Sequence, residues 1–557
     1  MKTHSLSRRI TVLFLTLFIW AVAVSAQHER NGVKLVVVIA IDQFRADYLT
    51  RFAKSYSDSG FKLLMRRGAW FTNARFEHAN TSTAPGHATI STGCYAGNSG
   101  IVGNSWYDLK KKRSVYCVLD PTVRLVGSEG MAREGQRSPA NLLVPGLGDY
   151  LKSASPESRV ISLSIKDRAA ILLGGKKPDE VFWYSSRTGK LITSSYYMAT
   201  TPVWIQALNA MRIPDTFFGK DWDYLLPEKQ YSRCDADDVP YEGSPFGLGR
   251  TFPHPMTAGL TKPGPDFYSA LRFTPFSNQL LVKAAKMAVL TEKLGMRGYT
   301  DLLMISFSSI DYIGHTWGPD SREIMDACVR TDRDLAALLT FLQREVGLSN
   351  CLVVLTSDHG VAPIPEHEQK RRRKAGRIFS TEFKRVTHAL DSVFGTPPRG
   401  KRWFKAVSFP NFYLDRSVLV QKGLSLPEFE KVFRRAVLGI RGIAAVYSRT
   451  DLQRPTKKNR AVRLMFNPER SGDYYVVQRK GWVYTYGDSK TGTGHGSPYD
   501  YDAHVPLIFF SPRLKRGTYR GTTGISSLAP TVGKLLGIEI PSCDGKPLRL
   551  ALRKLKR

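Results

Sequence analysis

The chain has 557 residues, 42% of them hydrophobic and 23% charged, with 46 glycines and 31 prolines. That is roughly three to four times the usual domain length, which suits one large domain with insertions or two domains, and the composition excludes collagen-like, mostly disordered and multi-span membrane proteins. Lys and Arg number 81 against 48 Asp and Glu, a net charge of +33. Such a balance attracts anions (nucleic acid, anionic membrane surfaces, polyanionic glycans or phosphorylated substrates) without choosing among them.

Residues 1–26 read as a secretory signal peptide. Lys2, Arg8 and Arg9 form a basic start, Ile10 to Val24 is an apolar run too short for a comfortable membrane span, and Ser25 and Ala26 are small residues suited to cleavage. Export to the periplasm or beyond, after cleavage near Ala26, is the expectation. All six cysteines lie downstream, where an exported chain can oxidise them. Six cysteines allow 15 pairings, and the spacing selects none; no C-x-x-C pair indicates a redox motif or a zinc knuckle.

Taken in chain order, apolar β-branched runs at 33–41, 159–165, 301–310, 351–356 and 504–510 read as strands covered on both faces. Helical patterns lie between them at Asn278 to Lys293, Arg333 to Val346 and Ser526 to Leu536. The alternation predicts an α/β fold with a mostly parallel central sheet flanked by helices on both faces. Residues 27–557 then form one domain. Insertions at about 175–275 and 365–490, the second with the basic run Lys370 to Lys374, are expected to cap the site.

Ligands of such sheets gather beyond the carboxyl ends of the strands. Four of the runs end in or next to Asp42, Lys166, Asp311 and Asp358. Asp311 and His315 form a D-x-x-x-H pair, Asp358 and His359 are adjacent, and His495 sits between two glycines. Taken alone, each pair is commonplace; their joint placement at successive strand ends is what points to metal. Mixed carboxylate and imidazole donors suit Zn²⁺ and tolerate Mn²⁺ or Fe. Six donors exceed one tetrahedral ion and divide between two. His28, His78, His254, His367 and His388 lack this context and read as structural or solvated. The Thr81-to-His87 stretch precedes a helix expected to begin near Pro85. A hydroxyl there meets free backbone N–H groups, which serves a helix cap or, beside a metal, a nucleophile.

These residues resemble the alkaline phosphatase superfamily: Asp42, the T-x-T-A-P-G-H-A-T-I-x-T-G run over 81–93, Asn104, Asp311 with His315, Asp358-His359-Gly360 and Gly494-His495-Gly496. They are most similar to the branch holding nucleotide pyrophosphatase/phosphodiesterases and PafA-type alkaline phosphatases, over about 33–548. The resemblance implies Thr83 as nucleophile, passing through a phosphothreonine, and two Zn²⁺ ions. Asp42, Asp358 and His359 would hold one ion, which also meets Thr83; Asp311, His315 and His495 would hold the other. Asn104 would donate to a phosphoryl oxygen, and Lys166 and Arg168 would contact the phosphoryl group, as a matching pair does in PafA-like monoesterases. More cations favour the more highly charged monoester dianion. The expectation is therefore a monomeric phosphatase for small phosphate monoesters.

Phosphodiester or nucleotide pyrophosphate cleavage on the same site is the alternative. A basic anion-binding protein retained at cell surfaces is the alternative of another class, although no nucleic-acid-binding motif is present. The C/S-x-P-x-R setting of a sulfatase is missing, since Thr83 is followed by Ala-Pro-Gly-His.

Overall fold

The computed structural model describes residues 32–553 apart from 128–130, 258, 486 and 542. The segment read as a signal peptide and His28 lie outside the described residues. Leu35–Ile41 (β1) is buried at every position because both of its faces are covered. Leu35, Val37, Ile39 and Ile41 face one hydrophobic core, while Val36, Val38 and Ala40 face another. The two-residue period of a strand thus feeds two layers at once. Each such side chain contributes about 1.5–3 kcal/mol on leaving water.

Nine further strands complete the sheet: Ala69–Phe71 (β2), Leu125–Val126 (β3), Val160–Ser164 (β4), Glu180–Tyr184 (β5), Leu191–Ser194 (β6), Asp301–Phe307 (β7), Cys351–Thr356 (β8), Leu507–Phe510 (β9) and Gly517–Tyr519 (β10). Their spatial order is β10-β2-β9-β8-β1-β7-β4-β5-β6-β3. The five central strands β8, β1, β7, β4 and β5 are mutually parallel. Ile41 pairs with Phe307, Ala40 with Thr356 and Ser306 with Ser164, so these strands end at one common edge. Helices Phe276–Thr291 and Arg322–Glu345 contribute to the first core, and Leu147–Ala154 and Leu528–Leu536 to the second. Helices on both faces of a mostly parallel sheet are what the alternating pattern predicts.

Several boundaries differ from those the sequence pattern predicts. The run 504–510 is broken at Pro506, which has no N–H to give a ladder, and Leu507–Phe510 pairs antiparallel with Cys351–Thr356. The run 301–310 stops at Phe307, and a helix starts at Ser309. The helix read as 333–346 begins at Arg322, where Ser321 caps it by accepting from the Ile324 N–H. Residues 180–194, read as part of the first insertion, instead continue the central sheet. The segment read as the second insertion carries its own four-stranded sheet, Phe404–Ser408, Asn411–Leu414, Tyr474–Gln478 and Ile443–Ser448, with a separate core around Phe429 and Phe433. Within it Lys370 to Lys374 are all exposed.

His367 joins three stretches distant in the chain. Its Nδ1 lies 3.0 Å from Asp235 and 3.4 Å from Asp320, and bonds to these two carboxylates raise its pKa from 6.5 to about 9. A raised folded-state pKa stabilises fully below the unfolded value and is lost as pH climbs through the folded one. Denaturant titrations of wild type and His367→Gln should therefore differ by about 1 kcal/mol at pH 6, discounted for partial solvent screening, and converge by pH 9.5.

Candidate active site

The common sheet edge collects the site. Asp42 follows β1 directly, its N–H donating to the Phe307 carbonyl at 2.8 Å. Asp358 and His359 follow β8 by two and three residues, and Lys166 follows β4 by two. Asp311 does not end a strand; it lies in the first turn of helix Ser309–Trp317, with His315 one turn later on the same face. Thr83 opens a fully buried helix, Thr83–Thr92, two residues earlier than Pro85 suggests. Pro85 remains within the first turn, where its missing N–H costs nothing.

The six donors converge. Asp42, Asp358 and His359 offer one ligand atom each, all within 4.8 Å of one another, and so do Asp311, His359 and His495. Among the described residues these are the only groups of three with that property, and they share His359. His359 Nε2 lies 3.4 Å from Asp42 Oδ1 and 3.3 Å from Asp358 Oδ2. Asp311 Oδ1 lies 3.4 Å from His315 Nε2 and 3.8 Å from His495 Nε2. The first group has the same members that the resemblance implies for one ion. The second group contains His359 as well as Asp311 and His495, while His315, the remaining residue that the resemblance implies there, has its Nε2 beside Asp311 Oδ1 and its ring centroid 5.0 Å from that of His495.

The donor chemistry fits divalent cations. In each of the three imidazoles Nδ1 faces a backbone carbonyl: Thr493 for His315, Gly360 for His359 and Thr81 for His495, at 2.7 to 2.9 Å. Donating from Nδ1 leaves the Nε2 lone pair pointing into the site, the arrangement metal-ligating histidines use. Asp42 Oδ1, Asp358 Oδ2 and His359 Nε2 are buried and make no hydrogen bond. Acceptors left facing one another this way are costly without a shared cation.

The electrostatics agree. Burial, reinforced by Asp358, holds the Asp42 carboxyl well above its ordinary pKa. Burial also acts on Asp311 and Asp358, but Lys166 and His315 outweigh it for the first, and His359 and His87 for the second, so both are lowered. Burial and the neighbouring His359 hold the His495 pKa well below the ordinary imidazole value.

The residues expected to meet substrate surround this cluster. Arg168 Nη2 stands 3.4 Å from Thr83 Oγ1. Asn104 Oδ1 accepts from the Ala84 N–H at 2.9 Å, which leaves its Nδ2 as the donor end of the amide. Lys166 is not simply turned toward a substrate. Its buried Nζ donates to Oδ2 of both Asp42 and Asp311, one carboxylate from each group, at 2.5 Å to Asp42. Two residues of the site carry no signal strong enough to single them out by sequence. His87, one turn after Thr83, donates from Nδ1 to the Thr83 carbonyl (2.8 Å), and the same nitrogen lies 3.2 Å from Asp358. Its place four residues along the same helix is the available hint. Gln43 contacts Asp358 and Asp311, and only its adjacency to Asp42 points to it.

Comparison with known proteins gives this geometry its family. Residues 36–504 match the type I phosphodiesterase / nucleotide pyrophosphatase family. The chain belongs to that family. Its relatives place it on the PafA-type branch of the alkaline phosphatase superfamily. The alkaline phosphatase PhoV of Synechococcus elongatus is 35% identical over 517 residues, 91% of either chain. The alkaline phosphatase PafA of Elizabethkingia meningoseptica is 34% identical over 521 residues, 92% of this chain and 94% of PafA. A crystal structure of wild-type PafA superposes with a TM-score of 0.86, covering 93% of this chain and 98% of that one. The chain is a phosphatase of this superfamily, on the sheet its sequence predicts.

Proposed function

We propose that the chain is an exported phosphomonoesterase working by double displacement through Thr83. Asp42, Asp358 and His359 would hold one divalent ion and Asp311, His315 and His495 a second, both Zn²⁺ by donor type. The observation that carries the reading is the Thr83 hydroxyl, 3.4 Å from Arg168 at the start of a buried helix whose His87 reaches Asp358 of the first group of carboxylate and imidazole atoms. When bound, such ions supply Lewis acidity, lowering the pKa of a hydroxyl and neutralising charge on a departing oxygen.

The residues of the chain do the rest. Thr83 Oγ attacks phosphorus; the bond to the leaving oxygen breaks, and that oxygen keeps the electron pair and takes up a proton as alcohol. Arg168 and the Asn104 amide donate to the nonbridging oxygens, where phosphoryl transfer concentrates charge. Water then attacks phosphorus, returning the Thr83 hydroxyl and releasing inorganic phosphate. Export rests on the first 26 residues. The names of PhoV and PafA support monoesters, while the family description keeps diester cleavage as the second reading.

Dialysis against a chelator should abolish phosphatase activity, and Zn²⁺ should restore it at about two ions per chain. Full recovery with Mn²⁺ and none with Zn²⁺ would overturn the ion identity.

A further inference from the structure

Gln43 is fully buried beside Asp42, and its backbone takes a φ of 65°, a region that few side chains adopt. Such strain persists where the surroundings over-determine it, often at functional sites. Both nitrogens of Gln43 donate to carboxylates of the site. Its N–H donates to Asp358 Oδ1 at 3.1 Å, and its Nε2 donates to Asp311 Oδ1 at 2.9 Å. These carboxylates belong to different ligand groups, and Asp42, the neighbour in sequence, belongs to the first. The remaining amide oxygen makes no hydrogen bond and lies against Gly314, where a Cβ would come within 2.0 Å of it. The helix that carries Asp311 and His315 is thus shaped to receive this one side chain.

Each contact removes a freedom the site needs to lose. With Oδ1 held by the Gln43 N–H, Asp358 turns Oδ2 toward His359, 3.3 Å away. With Oδ1 of Asp311 held by the amide and Oδ2 by Lys166, that carboxylate is fixed at both oxygens. Resting on the two-ion reading above, we infer that Gln43 is a positioning residue: a two-armed spacer that sets Asp311 against Asp358, and with them the separation of the two ions. A residue that only filled space beneath the site would alter folding stability without altering how either ion is held.

The test separates these roles. Gln43→Gly keeps the N–H arm, suits a φ of 65° and deletes the amide arm. Chelator-competition titration of the variant with zinc should show one ion, the one held through Asp311, bound about 10–100-fold more weakly, with the other at wild-type affinity. Thermal unfolding of the zinc-free proteins should be closely matched. Gln43→Glu, which sets a like charge against Asp311, should weaken the same ion further. Wild-type affinity for both ions in Gln43→Gly overturns the inference; a wild-type chain that never holds two ions overturns the two-ion reading instead. Gly314→Ala approaches from the opposite side. It should weaken the ion held through Asp311 in the wild-type background and have no such effect once Gln43 is Gly. Equal effects in both backgrounds overturn the inference as well.

Discussion

Thr83→Ala is expected to lower turnover of an aryl phosphate by about 10³-fold or more while leaving zinc content near wild type. The first part follows from the proposed chemistry, since alanine has no oxygen to bond to phosphorus, and deletion of a nucleophile removes the covalent route as a whole. The second follows from the fold. Thr83 occupies the first position of its helix, Ser82 precedes it in extended conformation, and no side-chain cap is lost; alanine is moreover the better helix former. The carbonyl of residue 83, which His87 contacts, remains in place. Thr83→Ser should recover much of the rate. Quenching wild-type enzyme with acid during turnover of labelled substrate should leave label on Thr83, and none in the alanine variant. Turnover near wild type in Thr83→Ala would remove the threonine from the mechanism.

The sequence carries the frame of this site further than its wiring. Strand ends are legible because buried parallel strands are uniformly apolar and stop sharply, so the residue pattern by itself sets Asp42, Asp358 and Lys166 on one edge. The helix after β7 is harder. Apolar residues continue to Ile310, and nothing local marks the switch at Ser308 from a two-residue to a 3.6-residue period. Glu180–Tyr184 and Leu191–Ser194 are hidden by the Pro- and aromatic-rich segment that follows them. Contacts between distant residues are out of reach. Lys166 meets Asp42 across 124 positions and Asp311 across 145, and no spacing rule foretells that a lysine expected to contact phosphate bridges two carboxylates. The sharing of His359 between both groups is likewise a property of packing. Its ring stacks on that of His495, with centroids 3.7 Å apart, a relation between two loops distant in the chain.

That bridge changes what charge removal should do. Lys166→Ala strips the shared cation from Asp42 and Asp311, leaving two buried carboxylates to repel one another, which costs far more than losing an exposed charge. Metal retention and turnover should both fall, for monoesters and diesters alike. Arg168→Ala is the discriminating change. Its guanidinium sits beside the Thr83 hydroxyl and holds Tyr116 only at 3.4 Å, so it is poised to donate elsewhere. A monoester dianion presents more charge on its free oxygens than a diester monoanion, and removal of one preorganised donor from a charged transition state costs about 10²–10³-fold. On the monoesterase reading, kcat/KM of Arg168→Ala should fall by about that factor for an aryl phosphate and by about 10-fold or less for the matching diester, with zinc content unchanged. Assayed side by side with a common leaving group, the two substrates cancel any general damage to the site. Equal losses would mean that Arg168 does not read the second negative charge, and preference for the diester in the wild-type enzyme would shift the assignment to the phosphodiesterase side of the family.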